Sequence, residues 1–163
     1  MLGKKKILDF EKETQDKYAT QGLFIFLDKI RFDISNEITI LGCTLFSNII
    51  PSQSEMVSFG LSDFYHIEDW SVEQHCQAHN ADLKWLNTQV KLIAEFEPHR
   101  TIVILTHHSP TVSSTAVSPT NIGSPVSSGF SSDLSKEICW TSLNVRAWEF
   151  GHTHFNCDYF DLG

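Results

Sequence analysis

A chain of 163 residues with a formal net charge of −8 carries one domain's worth of core. That acidity argues against a nucleic-acid or anionic-membrane partner, because both need a basic face and the only basic run is Lys4-Lys5-Lys6. No stretch approaches the ~20 apolar residues of a membrane span, and the N-terminus lacks the apolar core of a secretory signal. The expected location is therefore cytoplasmic.

Residues 1–22 form a charged segment with a helical start and no strong core face. Leu23-Phe24-Ile25-Phe26 and Glu37 to Leu45 read as strands, with Asp33 to Asn36 as the polar turn between them. The segment Pro51 to Trp70 reads as irregular. From Val72 to Phe96 the positions Val72, Cys76, His79, Leu83, Leu86, Val90 and Ile93 repeat at spacings of three and four, which predicts an amphipathic helix ended by Pro98. Thr101-Ile-Val-Ile-Leu-Thr106 is rich in β-branched residues and predicts a buried strand, and Val145 to Phe150 predicts another. Strand, helix and strand in this order indicate a crossover unit of an α/β fold.

Between His108 and Leu134 runs a Ser, Thr, Pro and Gly-rich connection, residues 109–134, with little apolar periodicity. Connections longer than about 12–15 residues inside a domain are usually functional or disordered, and because this one leaves directly from His107-His108 the reading is a substrate-facing lid. The four cysteines, Cys43, Cys76, Cys139 and Cys157, are widely spaced, so neither a zinc knuckle nor a disulfide framework is suggested. Cys43 and Cys157 read as buried thiols.

Chemistry concentrates at the two strand ends, in His107-His108 and in Gly151-His152-Thr153-His154. In extended chain a His-x-His pair points both rings the same way, and Gly151 offers the backbone a sharp turn just before it. Three neutral imidazoles with an open position make a hydrolytic divalent-metal centre. The alternative is that His107 and His108 are strand-end residues bonded to backbone and the second pair a surface turn. His75 and His79 have the i,i+4 spacing of ligands, but His79 lies in the apolar stripe and no third ligand accompanies them, so packing is the reading for both. His66 and His99 carry no signal.

Thr101-Ile-Val-Ile-Leu-Thr-His-His-Ser-Pro110 followed by Phe150-Gly-His-Thr-His154 resembles the last two metal-ligand motifs of the calcineurin-like metallophosphoesterases. Ile40 to Leu45, Asp82 to Leu86 and Phe155 to Tyr159 resemble a fungal-type branch of that family, and the resemblance extends from about Phe24 to the end of the chain. It implies a four-layer α/β sandwich, of which residues 23–163 would supply one mixed sheet and its flanking helix. It also implies a dinuclear centre of Fe, Zn or Mn that hydrolyses phosphate esters. By motif position His107, His152 and His154 would be metal ligands, with His107 and His108 in the catalytic set. His108 would be an alternative ligand or a contact to substrate phosphate.

The family's earlier motifs, an Asp-x-His, a Gly-Asp and an Asn-His or Asn-Asp, are absent; Asp63-Phe-Tyr-His66 and Ala78-His-Asn80 fit none of them. The resemblance therefore implies the C-terminal half of the domain, with exposed strands open to pairing with another chain. Two divalent ions about 4 Å apart repel by roughly 15 kcal/mol at an effective dielectric of 20, so a dinuclear site needs a bridging anion that imidazoles do not supply. A non-catalytic remnant or a mononuclear zinc-binding module, acting as a binding or regulatory protein, is the alternative reading.

Overall fold

The computed structural model describes residues 2–160. Its centre is one mixed sheet of four strands in the order β1-β2-β3-β4, formed by β1 (Ile30–Asp33), β2 (Ile38–Cys43), β3 (Thr101–Thr106) and β4 (Val145–Glu149). β1 runs antiparallel to β2, while β2, β3 and β4 are parallel, with a bulge between Ile102 and Val103. The helices are α1 (Leu2–Asp16), α2 (Ser54–Gly60), α3 (Asp63–His66), α4 (Val72–Phe96) and α5 (Ile138–Thr141). The fold is α/β, and among the described residues no helix is long and apolar enough to cross a membrane.

The long helix α4 makes the crossover from β2 to β3, as parallel pairing requires. It starts at a capping box in which the Ser71 hydroxyl accepts from the Gln74 amide and the Gln74 side chain accepts from the Ser71 amide. Its buried face is His75, His79, Asp82, Leu86, Val90 and Ile93. From Leu86 onward this is the stripe the sequence predicts. Toward the N-terminus the face is rotated, with His75 and Asp82 inside and Cys76 and Leu83 only half buried. Polar groups can occupy those positions because the chain just after β2 gives them backbone partners: the Leu45 amide donates to Asp82 Oδ2 at 2.8 Å and the Ser47 amide to His75 Nε2 at 3.1 Å. Beyond them Leu86, Val90 and Ile93 pack on Leu41, Cys43, Ile102 and Ile104 to form the main core.

Three expectations are corrected by the structure. Leu23 to Phe26 is not a strand; the first strand is β1, which begins at Ile30. The backbone of the earlier run is satisfied by side chains of α1 instead of a ladder. The Glu11 carboxylate accepts from the Phe26 amide, Gln15 Nε2 donates to the Phe24 carbonyl, and Phe10 meets Phe24 edge to face at 5.1 Å. The stretch Pro51 to Trp70 holds a 3₁₀ turn, α2 and α3, and its Val57 and Leu61 make a second, smaller core with Ile49, against which Phe64 and Phe130 pack. Cys157 is exposed, whereas Cys43 is buried as expected.

Gly42 of β2 lies under Leu27, so that a Cβ at this position would sit 2.5 Å from Leu27 Cβ. Because the obstructing atom is next to the backbone, it cannot swing away. Gly42→Ala is expected to cost about 1–3 kcal/mol by overpacking, read as a lower midpoint in urea unfolding; an unchanged midpoint would mean that Leu27 does not cover this strand in solution.

Candidate metal centre

β3 ends at Thr106, and the amides of His107 and His108 both donate to the carbonyl of Thr44, just past β2. This turns the chain so that His107 is exposed and His108 is buried, only 1% accessible. β4 is drawn to the same place because the Gly151 amide donates to the His107 carbonyl at 3.0 Å. Trp148 Nε1 donates to Thr106 Oγ1, which in turn donates to the His108 carbonyl. Hydrogen bonds among neighbouring strand ends, not local propensity, thus bring the two histidine segments together.

His107, His108 and His152 form one group, each offering a nitrogen within 4.8 Å of the others'. His152 Nδ1 faces His107 Nε2 at 3.0 Å, and the His152 ring stacks on His108 with centroids 4.1 Å apart. Phe130 also packs against His152, with centroids 4.8 Å apart. His154 lies outside the group and is exposed. The expectation of an extended His-x-His fails here for a backbone reason. His152 and His154 both have positive φ, 61° and 51°, and the Thr153 amide closes a tight turn onto the Gly151 carbonyl, so period-two alternation does not apply. The turn is made at the histidines, while Gly151 itself has no positive φ.

The electrostatics favour neutral rings. Burial, reinforced by the neighbouring imidazole of His152, pushes His108 down to about 2. Burial, with His107 beside it, pushes His152 down to about 4. Neutral imidazoles with free nitrogens are what a divalent ion takes. Four buried side-chain nitrogens lack a hydrogen-bond partner among the described residues: Trp70 Nε1, His75 Nδ1, His108 Nδ1 and His152 Nε2. An unpartnered buried polar group costs about 1–3 kcal/mol, so their concentration in one place marks that place. They are contiguous: Phe46 contacts Trp70, His75 and His108, and His75 meets His108 edge to face at 5.4 Å. Zinc–nitrogen bonds of about 2.0–2.1 Å put tetrahedral ligand atoms some 3.3 Å apart, and the three imidazoles offer nitrogens within 4.8 Å of one another, with His152 Nδ1 and His107 Nε2 at 3.0 Å. The residues therefore fit a divalent ion.

His75 was legible in the sequence only as half of an i,i+4 pair. The structure separates that pair: His75 joins the aromatic wall behind His108, while His79 Nδ1 donates to the Leu45 carbonyl at 3.0 Å. Asp82 was part of a motif but gave no sign of being the anchor it is. The only signal was the spacing itself, since His75, His79 and Asp82 share one helix face. His66 at the end of α3 and His99 before β3 are exposed and take no part.

Compared with known proteins, the chain matches no family model and no solved structure. It is 28% identical over 132 residues to an uncharacterized protein of Acanthamoeba polyphaga mimivirus, an alignment that covers 76% of this chain and 46% of that protein. The chain thus spans about half the length of the curated relative it matches.

Proposed function

We propose that the chain is a metal-dependent phosphate-ester hydrolase of the calcineurin-like metallophosphoesterase type, carrying that domain's C-terminal metal-ligand motifs. The observation behind this reading is the gathering of His107, His108 and His152 at the ends of β3 and β4, with unpartnered nitrogens on His108 and His152. His107, His108 and His152 would hold the ion, which would be Zn, Fe or Mn, the metals suited to imidazole. When bound, such an ion supplies Lewis acidity toward a phosphoryl oxygen and an attacking water. The chain's own part is to hold the His108 and His152 rings neutral, to fix the group through Thr44, Thr106 and Gly151, and to keep water from the His108 side with Phe46 and His75. His107, being exposed, is the ring that meets a phosphate ester approaching from solvent.

The finer architecture belongs to this reading as well. Phe32, Ile40, Val103 and Ala147 share one face of the sheet through the strand register, opposite to α4, and Phe32 is exposed. Parallel sheets are normally covered on both faces, which supports a second sheet there, as in a four-layer sandwich, supplied by further chain or by another protein. A second reading, a mononuclear metal-binding module without catalysis, is favoured by one observation: the group contains imidazoles alone, with no carboxylate to bridge two ions.

Hydrolysis of bis(p-nitrophenyl) phosphate by the chain in added Mn²⁺ separates the two. Turnover that falls at least ~100-fold in His152→Ala is expected for a hydrolase. An ion held by the wild-type chain with no turnover leaves the binding module standing and overturns the hydrolase.

A further inference from the structure

A cavity of about 590 Å³ lies between the first half of α4 and the long 109–134 connection, and it contains none of the three clustered histidines. That volume is within the roughly 300–1,000 Å³ range of small-molecule sites. Hydrogen bonds tie its walls together. The connection is stapled at its base, where the Ser109 amide donates to the Phe130 carbonyl, the Ser132 amide to the Ser109 carbonyl and the Leu134 amide to the Pro110 carbonyl. Midway, the Gln53 side chain holds Ser127 and Ser128. The stretch read from sequence as a lid carries three single 3₁₀ turns and lines this cavity.

The lining has a definite chemical character. Asp133 and Glu137 bring two carboxylates and no Lys or Arg lines the space, although Lys136 lies next to Asp133 in the chain. The Asp133 carboxyl is held below its ordinary range by the Ser135 hydroxyl and amide, with Lys136 adding to the effect. The imidazole of His79, buried among the lining residues, donates through Nδ1 to the Leu45 carbonyl. Val112 and Ile122 line the same space while 56% and 59% exposed, an apolar rim that water wets and an apolar ligand would cover.

We propose that this cavity binds a small amphipathic cation, an ammonium group carried on an apolar ring or chain. The ammonium would sit against Asp133 and Glu137, and the apolar part against Val112, Ile122 and Leu83. An anion is disfavoured there because no positive side chain lines the space to compensate the two carboxylates. The inference is independent of the hydrolase reading, since it involves neither a metal nor a phosphate.

The test is a titration of the full chain with 2-phenylethylamine, 2-phenylethanol and phenylacetate, followed by amide NMR. The amine is expected to shift the amides of Asn48, Ile122 and Ser131 and to bind about tenfold or more tightly than phenylacetate, a difference of about 1.4 kcal/mol. In the double variant Asp133→Asn, Glu137→Gln, which keeps an acceptor for the Ser135 amide and for Asn87, that preference should disappear while the spectrum of the free protein is retained. Ser114→Trp, which fills the cavity from an exposed position, should abolish binding. Equal affinity for amine and carboxylate, binding that survives Ser114→Trp, or no shift with any probe at millimolar concentration would each overturn the proposal.

Discussion

His152→Ala is expected to strip the chain of a divalent ion that the wild type retains through purification without chelator. Even groups that only support a metal ligand are worth 10–100-fold in affinity, so loss of one of three nitrogens should weaken retention by more than ~100-fold. Metal content per chain by mass spectrometry, with competition against a chelator, reads this directly. His108→Ala should do the same, because its buried Nδ1 has no other partner. His154→Ala is the informative comparison. The resemblance to the metallophosphoesterases makes His154 a ligand, whereas the geometry leaves it exposed and outside the group. Retention in His154→Ala with loss in His152→Ala is the expected pattern. Equal loss in both would mean that the loaded protein unwinds the left-handed turn at residues 152–154 and takes His154 in. No ion in the wild type would remove the metal centre altogether.

The second large effect concerns Asp82, only 2% exposed on α4. Its Oδ2 accepts from the Leu45 amide and its Oδ1 from Lys29 Nζ, each at 2.8 Å. Leu45 and Phe46 both have positive φ, 68° and 43°, a conformation that non-glycine residues adopt only when held there. The carboxylate helps to hold it, and with it the placement of Phe46 against His75 and His108. Asp82→Ala is therefore expected to lose about 3 kcal/mol, since it orphans a buried amide and unpairs Lys29. At this chain length that lowers Tm by roughly 6–12 °C. Lys29→Ala leaves the buried Asp82 carboxylate without its cation and so is destabilising too, but less than Asp82→Ala, because the Leu45 amide keeps its acceptor. If the two variants were equally destabilised, the ion pair and not the amide bond would be the anchor.

The two effects share one region, the turn after β2, and that region shows where sequence reading stops. Periodicity located α4 and its lower stripe at Leu86, Val90 and Ile93, since apolar residues at three and four must share a helix face whatever they meet. β-branched composition located β3 in the same way, and the strand, helix, strand order required a parallel crossover and so an α/β sheet. The same local rules gave the candidate residues His107, His108 and His152, because they flank strands. What local rules do not contain is the identity of a partner. Leu23 to Phe26 has strand composition, yet Glu11 and Gln15 take its backbone groups and the first strand forms at Ile30. His75 and Asp82 lie inside because the Ser47 and Leu45 amides meet them there. His152 and His154 part because a left-handed turn replaces the extended chain that alternation assumes. The sequence by itself determined the elements and the residue types at the strand ends. Only the tertiary structure decided which rings meet, because that depends on hydrogen bonds to Thr44, Thr106 and His107 from segments remote in the chain.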